Sequence, residues 1–366
     1  MTRRNLLAIS ATAPAILRAQ TPDNEVRVAF VGVGNRGSFL LENALKVPGL
    51  RVVAVCDIVR DRAMKAAARV EAAGGSARVW EDFRKMLDEQ KEIDAVVLAT
   101  PDWTHKDFNI AILEVGKHLY AEKPLALTPE DCQAVVSAAR QAKGIFQVGF
   151  QNRHDPHKNA AEKFIHGGGI GRVLMCHGIR HGGDLPRQIP WYFDRTRSGD
   201  ILVDQAIHMV DLFNWAIGSH PLRAMGFGGT NLFEDEPPGR TVMDNYSVIY
   251  EYPHGVRMNL SHHYFDPPGF TGRQEKVFGS EGAVDLMTAV WQPRRKNERI
   301  KLDVPDAGRR DAEMALAYFA DHLRRGDKNV LNSAESAMES TLTALLGTKA
   351  IYERRIVTWE EILPRA

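Results

Sequence analysis

Only three cysteines, Cys56, Cys132 and Cys176, are scattered over 366 residues. Their odd number and wide spacing exclude a disulfide framework and a cysteine-based zinc site. No apolar run approaches the roughly 20 residues that a helix needs to cross a bilayer, so no membrane span is expected. Neither sign of charge dominates. The 47 basic and 46 acidic residues leave a formal net charge of +1, without the basic excess of a non-specific nucleic-acid binder. Internal repeats and low-complexity tracts are also missing. What is present, 44% hydrophobic and 25% charged residues, is the composition of an ordinary globular protein. The length suits about two domains.

The first 20 residues, MTRRNLLAISATAPAILRAQ, stand apart. Arg3 and Arg4 precede an apolar run from Leu6 to Leu17, no acidic residue interrupts it, and Leu17-Arg18-Ala19 is a passable cleavage site. This is the pattern of a twin-arginine export signal over residues 1–20. It predicts a periplasmic or secreted protein; read as a plain basic terminus, it would leave the protein cytoplasmic. Removal of residues 1–19 takes Arg3, Arg4 and Arg18 from the 47 basic residues and nothing from the 46 acidic ones, a balance of −2. A protein that folds in the reducing cytoplasm before export has no need of disulfides.

Residues 25–149 alternate short apolar runs with amphipathic ones. VRVAFVG, RVVAVCD, DAVVLAT, KHLYAE and IFQVGF read as buried strands. Ser38–Lys46, Asp61–Ala73, Asp82–Glu89, Lys106–Glu114 and Thr128–Lys143 read as helices between them. Such alternation predicts an α/β fold, a doubly wound parallel sheet covered on both faces. Residues 150–355 differ. A helix over His157–His166, an apolar helix over Asp200–Ile217, and helices near 311–325 and 333–353 accompany strand-like runs such as DNYSVIYEY and GVRMNLSHHYF. Gly/Pro-rich turns separate those runs, which predicts an α+β domain with a mostly antiparallel open sheet.

Gly32-Val33-Gly34-Asn35-Arg36-Gly37 is a G-x-G-x-x-G between the first strand and a helix. In that setting the glycines let the backbone approach a pyrophosphate, and the helix N-terminus supplies free N–H groups. Asp57 ends the second strand. A carboxylate there accepts hydrogen bonds from the adenosine ribose and repels a 2′-phosphate, so NAD is favoured over NADP, although Arg60 and Arg62 lie close by. Two more motifs sit at strand ends, where open α/β sheets bind ligands. Thr100-Pro101-Asp102-Trp103-Thr104-His105 follows the fourth strand, and Glu122-Lys123-Pro124 follows the fifth. Lys123 there could polarise a reacting hydroxyl, or lie idle in solvent as most lysines do. On the apolar helix, Asp204, His208 and Asp211 form a polar line at i, i+4 and i+7. A histidine oriented by a carboxylate can take a hydroxyl proton at neutral pH; a buried pair that only ties down backbone is the alternative.

Together these motifs resemble the Gfo/Idh/MocA family, named for glucose–fructose oxidoreductase and inositol dehydrogenase. The resemblance spans nearly all of residues 26–355 and rests on Gly32–Gly37, Glu122-Lys123-Pro124 and Asp204/His208. It implies Lys123, Asp204 and His208 as catalytic residues. It also implies that Asn35, Arg36, Thr100, Pro101, Trp103, His105, Glu122 and Gln151 join Gly32, Gly34, Gly37 and Asp57 around NAD. A homo-oligomer built on an exposed face of the second sheet is implied as well. The exported start, the G-N-R-G turn and the W-Y-F-D and S-G-D-I-L-V-D-Q-A-I-H segments are similar to the family 109 glycosidases, which cleave glycosides by transient oxidation with bound NAD. The retained Lys123 departs from that branch.

The expected activity is therefore NAD-dependent oxidation of a hydroxyl on a sugar, polyol or glycoside, with NAD-dependent glycoside hydrolysis and a non-catalytic binding protein as alternatives. An exported enzyme has no external NAD pool, so the cofactor is expected to stay bound and be recycled on the protein. Arg153 and His154, in a loop expected to rim the cleft, and Trp191 and Tyr192, able to stack on a sugar ring, are candidate substrate contacts. No metal site is expected: His262 and His263 are adjacent on a strand and face opposite sides.

Overall fold

The computed structural model describes residues 25–270 and 272–364; the expected export signal lies outside them. In the first half, strands β1 (Val26–Val31), β2 (Leu50–Cys56), β3 (Arg78–Trp80), β4 (Ala95–Leu98), β5 (His118–Glu122) and β6 (Phe146–Gly149) alternate with helices α1 (Asn35–Ala44), α2 (Arg60–Ala72), α3 (Phe83–Glu89), α4 (His105–Glu114) and α5 (Pro129–Gln141). The strands pair in parallel in the order β3-β2-β1-β4-β5-β6. Strand order reverses between β1 and β4, which opens a crevice at the C-terminal ends of the central strands. Local chemistry sets the helix starts. Thr128 caps α5 by accepting from Asp131 N–H, Pro129 occupies its first turn, and Asp82 caps α3.

The second half contributes α6 (Pro156–His166), β7 (Val173–His181), α7 (Arg195–Ser198), α8 (Ile201–Asp204), α9 (Ile207–Ile217), β8 (Arg223–Gly229), β9 (Asn245–Glu251), β10 (Arg257–His263), β11 (Arg273–Gly279), β12 (Gly282–Asp285), β13 (Val290–Pro293), β14 (Ile300–Lys301), α10 (Asp311–Arg325), α11 (Ala334–Glu353) and β15 (Val357–Thr358). These strands form a nine-stranded sheet in the order β14-β13-β12-β11-β7-β10-β9-β8-β15, antiparallel except for β7 with β10. One face carries Cys176, Gly178, Met258 and Leu260 against α9, where a side chain on Gly178 would collide with Met209 and Phe213. The α/β plus open-sheet architecture matches the expectation.

Three details differ from it. The second sheet runs on to Thr358, past 355. α10 leaves the second domain and packs Ala312, Leu316 and Phe319 into the core of β1, α1 and α2; an amphipathic stripe shows that a helix is half buried but not which sheet buries it. And the single helix expected over Asp200–Ile217 is broken at Gln205–Ala206.

Candidate active site

The crevice is built first from the glycine turn. Gly32 has φ +79°, and a Cβ on Gly37 would lie 1.9 Å from the Gly32 carbonyl oxygen, so close packing forces glycine at both positions. Gly34 is different: a Cβ there would meet only Arg62 Nη1, at 3.9 Å. The turn is thus bare on that side. Gly34 is also the N-cap of α1 with no capping side chain, and Asn35 opens the helix, leaving N–H groups for an anion. Asp57 is fixed beside the turn, its two carboxylate oxygens accepting from Val33 N–H at 3.0 Å and Val59 N–H at 2.9 Å. Arg60 turns away to Glu81, whereas Arg62 stays near Gly34. At the end of β6, Gln151 is 9% exposed, and its Oε1 has no hydrogen-bond partner among the described residues. The bare turn and this orphaned acceptor fit a bound dinucleotide.

The loops after β4 and β5 are tied to that turn. Arg36 donates to Glu122 Oε1 at 2.8 Å. Thr100 and Thr104 share a hydroxyl hydrogen bond, and Thr104 also donates to the Pro101 carbonyl. His105 is fully buried, and its ring nitrogens lie 2.6 Å from the Pro124 carbonyl oxygen and 2.9 Å from that of Thr100. His105 therefore clamps the two loops together and does not reach the crevice as a cofactor contact; the sequence could not show this, since Pro124 is distant along the chain. Trp103 stands at the rim, 40% exposed, edge-on to Trp191 at 5.4 Å and under the Arg197 guanidinium.

Lys123 spans the two domains. Its ammonium donates to the Asp204 carbonyl oxygen at 2.7 Å and to Asp204 Oδ1 at 3.1 Å. In a continuous helix that carbonyl would accept from the N–H four residues on; here, at the break between α8 and α9, it accepts from Lys123. Burial alone would lower the Lys123 pKa, but the negative charge facing it, that of Asp204 foremost, outweighs burial and holds it above the ordinary value. Asp204 also accepts from Gln205 Nε2. It does not orient His208 as expected, because Lys123 and Gln205 occupy its oxygens.

His208 opens the first turn of α9, half-buried, with Phe150 edge-on at 6.0 Å. Its Nδ1 is enclosed and has no partner among the described residues. Burial pushes its pKa well below the usual imidazole value, and the charges of Lys123, Arg36, Arg180 and Lys158 push it further. The ring is therefore neutral at neutral pH.

One site residue was not singled out from the sequence. Asp102 is 5% exposed; burial and then the charge of Asp204 raise its pKa well above the ordinary carboxyl value, while Asp204, against its own burial, is held low by the charge of Lys123 and by side-chain hydrogen bonds. The two carboxyls are thus pushed apart, Asp102 upward toward its protonated form and Asp204 downward toward its charged one. The signal in the sequence was a carboxyl within T-P-D-W-T-H, uninterpretable without its partner.

Three expected substrate contacts are placed elsewhere. Arg153 is buried and pairs with Asp211 through Nε at 2.8 Å and Nη2 at 2.7 Å; this also removes Asp211 from the polar line. His154 is buried against Tyr318, its pKa lowered to about 3 by burial and then by Arg153 and His322. Tyr192 is wholly buried, with its hydroxyl 2.8 Å from that of Tyr264. Only Trp191 of the four stands where a ligand could meet it.

Residues 26–150 match the oxidoreductase family with an NAD-binding Rossmann fold, and residues 159–285 match the GFO/IDH/MocA C-terminal domain. The chain is 28% identical over 326 residues to the NAD(+)-dependent scyllo-inositol 2-dehydrogenase of Bacillus subtilis, covering 86% of this chain and 91% of that protein. It is 33% identical over 263 residues to inositol 2-dehydrogenase 2 of Saccharopolyspora erythraea, covering 71% and 73%. In structure it resembles a levoglucosan dehydrogenase solved with NADH and levoglucosan, with a TM-score of 0.78 at 20% identity, covering 93% of this chain and all of that one. The chain belongs to the Gfo/Idh/MocA family of NAD-binding oxidoreductases.

Proposed function

We propose that this enzyme oxidises a secondary hydroxyl of a polyol or sugar with NAD. The observation that carries this reading is the junction of Lys123, protonated and anchored on Asp204, with a neutral His208 at the mouth of the first-domain sheet. Gly32, Gly34, Asn35, Arg36, Gly37, Asp57, Trp103, Glu122 and Gln151 would hold the dinucleotide, which supplies a hydride acceptor when bound. His208 takes the hydroxyl proton at Nε2, since Nδ1 is enclosed. Lys123 stabilises the negative charge that develops on the substrate oxygen. Asp204, with Asp102 behind it, holds the ammonium in place. Trp103 and Trp191 offer apolar edges to a ring at the rim. The inositol dehydrogenases among its relatives favour net oxidation of a cyclic polyol over glycoside cleavage. The test is a panel of inositols, aldoses and aryl glycosides assayed for NADH formation. Oxidation of a polyol or sugar, abolished by His208→Ala, is expected; sugar release from glycosides with no such oxidation would overturn the reading.

We further propose export through residues 1–20, with NAD carried inside the folded protein. The three cysteines are free and buried, which suits folding in a reducing compartment. Native mass spectrometry of the mature protein should show one retained nicotinamide dinucleotide per chain; protein purified from its compartment without it would count against this.

A further inference from the structure

Strands β7 and β10 run parallel, and their last residues, His181 and His263, are in register. His262 points inward and is 2% exposed, so His263 points to the opposite face, with His181 as its neighbour. The two rings lie 3.8 Å apart. Asp266, three residues on, folds back beneath them: its Oδ1 is 3.2 Å from His263 Nε2 and 3.9 Å from His181 Nδ1. Its other oxygen accepts from Gly272 N–H at 3.2 Å, which fixes the carboxylate with Oδ1 toward the rings. The three donor atoms all lie within 4.8 Å of one another.

We propose that His181, His263 and Asp266 bind a divalent transition-metal cation. Imidazole and carboxylate ligands stand about 2.0–2.2 Å from such an ion, so donors on one ion lie about 3–4 Å apart; the two contacts to Asp266 already meet that, and the rings need only close slightly. Two nitrogens and one oxygen suit Zn²⁺ and its first-row neighbours rather than Ca²⁺ or Mg²⁺, which prefer all-oxygen sets. The His181 ring already has an outer partner, Ser261 Oγ at 3.2 Å from Nε2, as metal-ligating histidines usually do. Ligated His263 would give up a long 3.4 Å contact from Phe265 N–H to Nδ1.

The site is separate from the crevice. Arg180, next to His181, points the other way, onto Gln205. The ion would pin the Tyr264–Asp266 turn to the sheet, and through the Tyr264–Tyr192 hydroxyl pair would steady the segment that carries Trp191. Its place is structural.

The test uses tag-free full-length protein, stripped with chelator and dialysed, then titrated with ZnCl2 by calorimetry and read by elemental analysis. One Zn²⁺ per chain is expected. His181→Gln and His263→Gln should each weaken binding at least about tenfold, the loss that removing even an outer-shell partner typically brings, while His177→Ala, on the same sheet face but outside the cluster, should leave it unchanged. Stripped wild type that takes up no Zn²⁺, or equal uptake by the folded glutamine variants, would overturn the proposal.

Discussion

At the scale of single residues, the crevice separates two acids and two bases by environment. In the proposed reaction His208 would act as base only while neutral. Its depressed pKa keeps it so across the neutral range, and activity is lost only as pH falls through that depressed value. The acid limb of kcat/KM assigned to His208 should therefore lie below pH 6.5, the ordinary imidazole value. A limb at or above that value would rule His208 out. His208→Ala should cut turnover about 10²- to 10⁴-fold and leave NAD affinity, measured by calorimetry, within about threefold, since a change of that size is only ~0.7 kcal/mol. Asp102 makes a different prediction. If it is a neutral donor to Asp204, the amide of Asp102→Asn can replace it, and kcat should stay within about threefold. The sign of the stability effect follows from linkage. A carboxyl whose folded pKa is raised takes up a proton on folding, so its contribution is present below the unfolded value of 3.8 and is lost as pH rises through the folded one. Asp102→Asn should therefore gain on wild type as pH rises in urea unfolding at pH 5 and pH 8; parallel behaviour would show Asp102 to be ionised.

At the scale of elements, the break between α8 and α9 shows how far local sequence reaches. The glycine turn, the strand–helix alternation and the caps at Thr128 and Asp82 are legible because their causes lie within a few residues. The break is not, because the group that meets the freed Asp204 carbonyl, Lys123, is 81 residues away. The same holds for His105, whose partner sits on the next βα loop, and for Arg153. A charged residue in a loop after a strand reads as a rim residue until Asp211 is found opposite it. Asp211 is fully buried, and Arg153 and Ser340 satisfy it. Arg153→Met would leave that carboxylate without its cation and should cost about 3–5 kcal/mol, read from the midpoint of chemical denaturation. Asp211→Asn with Arg153→Met should recover part of the loss; a single variant as stable as wild type would show that the pair matters little.

At the scale of the whole molecule, the second sheet is covered on one face by α9 and α11 and bare on the other. Met225, Phe227, Ile249 and Phe278 are 42%, 64%, 53% and 38% exposed. Met225 and Ile249 are direct cross-strand partners on β8 and β9, and Phe227 lies two residues along the same face. Side chains of this kind, gathered on one flat surface, are what a monomer rarely leaves in water. Two copies stacking these faces about a twofold axis would cover the same patch on both chains at once. A charge placed at its centre is then buried twice. Phe227→Asp with Ile249→Asp should raise the dimer dissociation constant at least about 100-fold, ~2.7 kcal/mol, in sedimentation experiments. The crevice lies on the side of the opposite face, toward which Arg180 reaches Gln205, so NAD affinity should not move. Wild type that sediments as a monomer at micromolar concentration would show that the patch has another use, and loss of NAD binding along with the dimer would show that the two faces are coupled through the sheet.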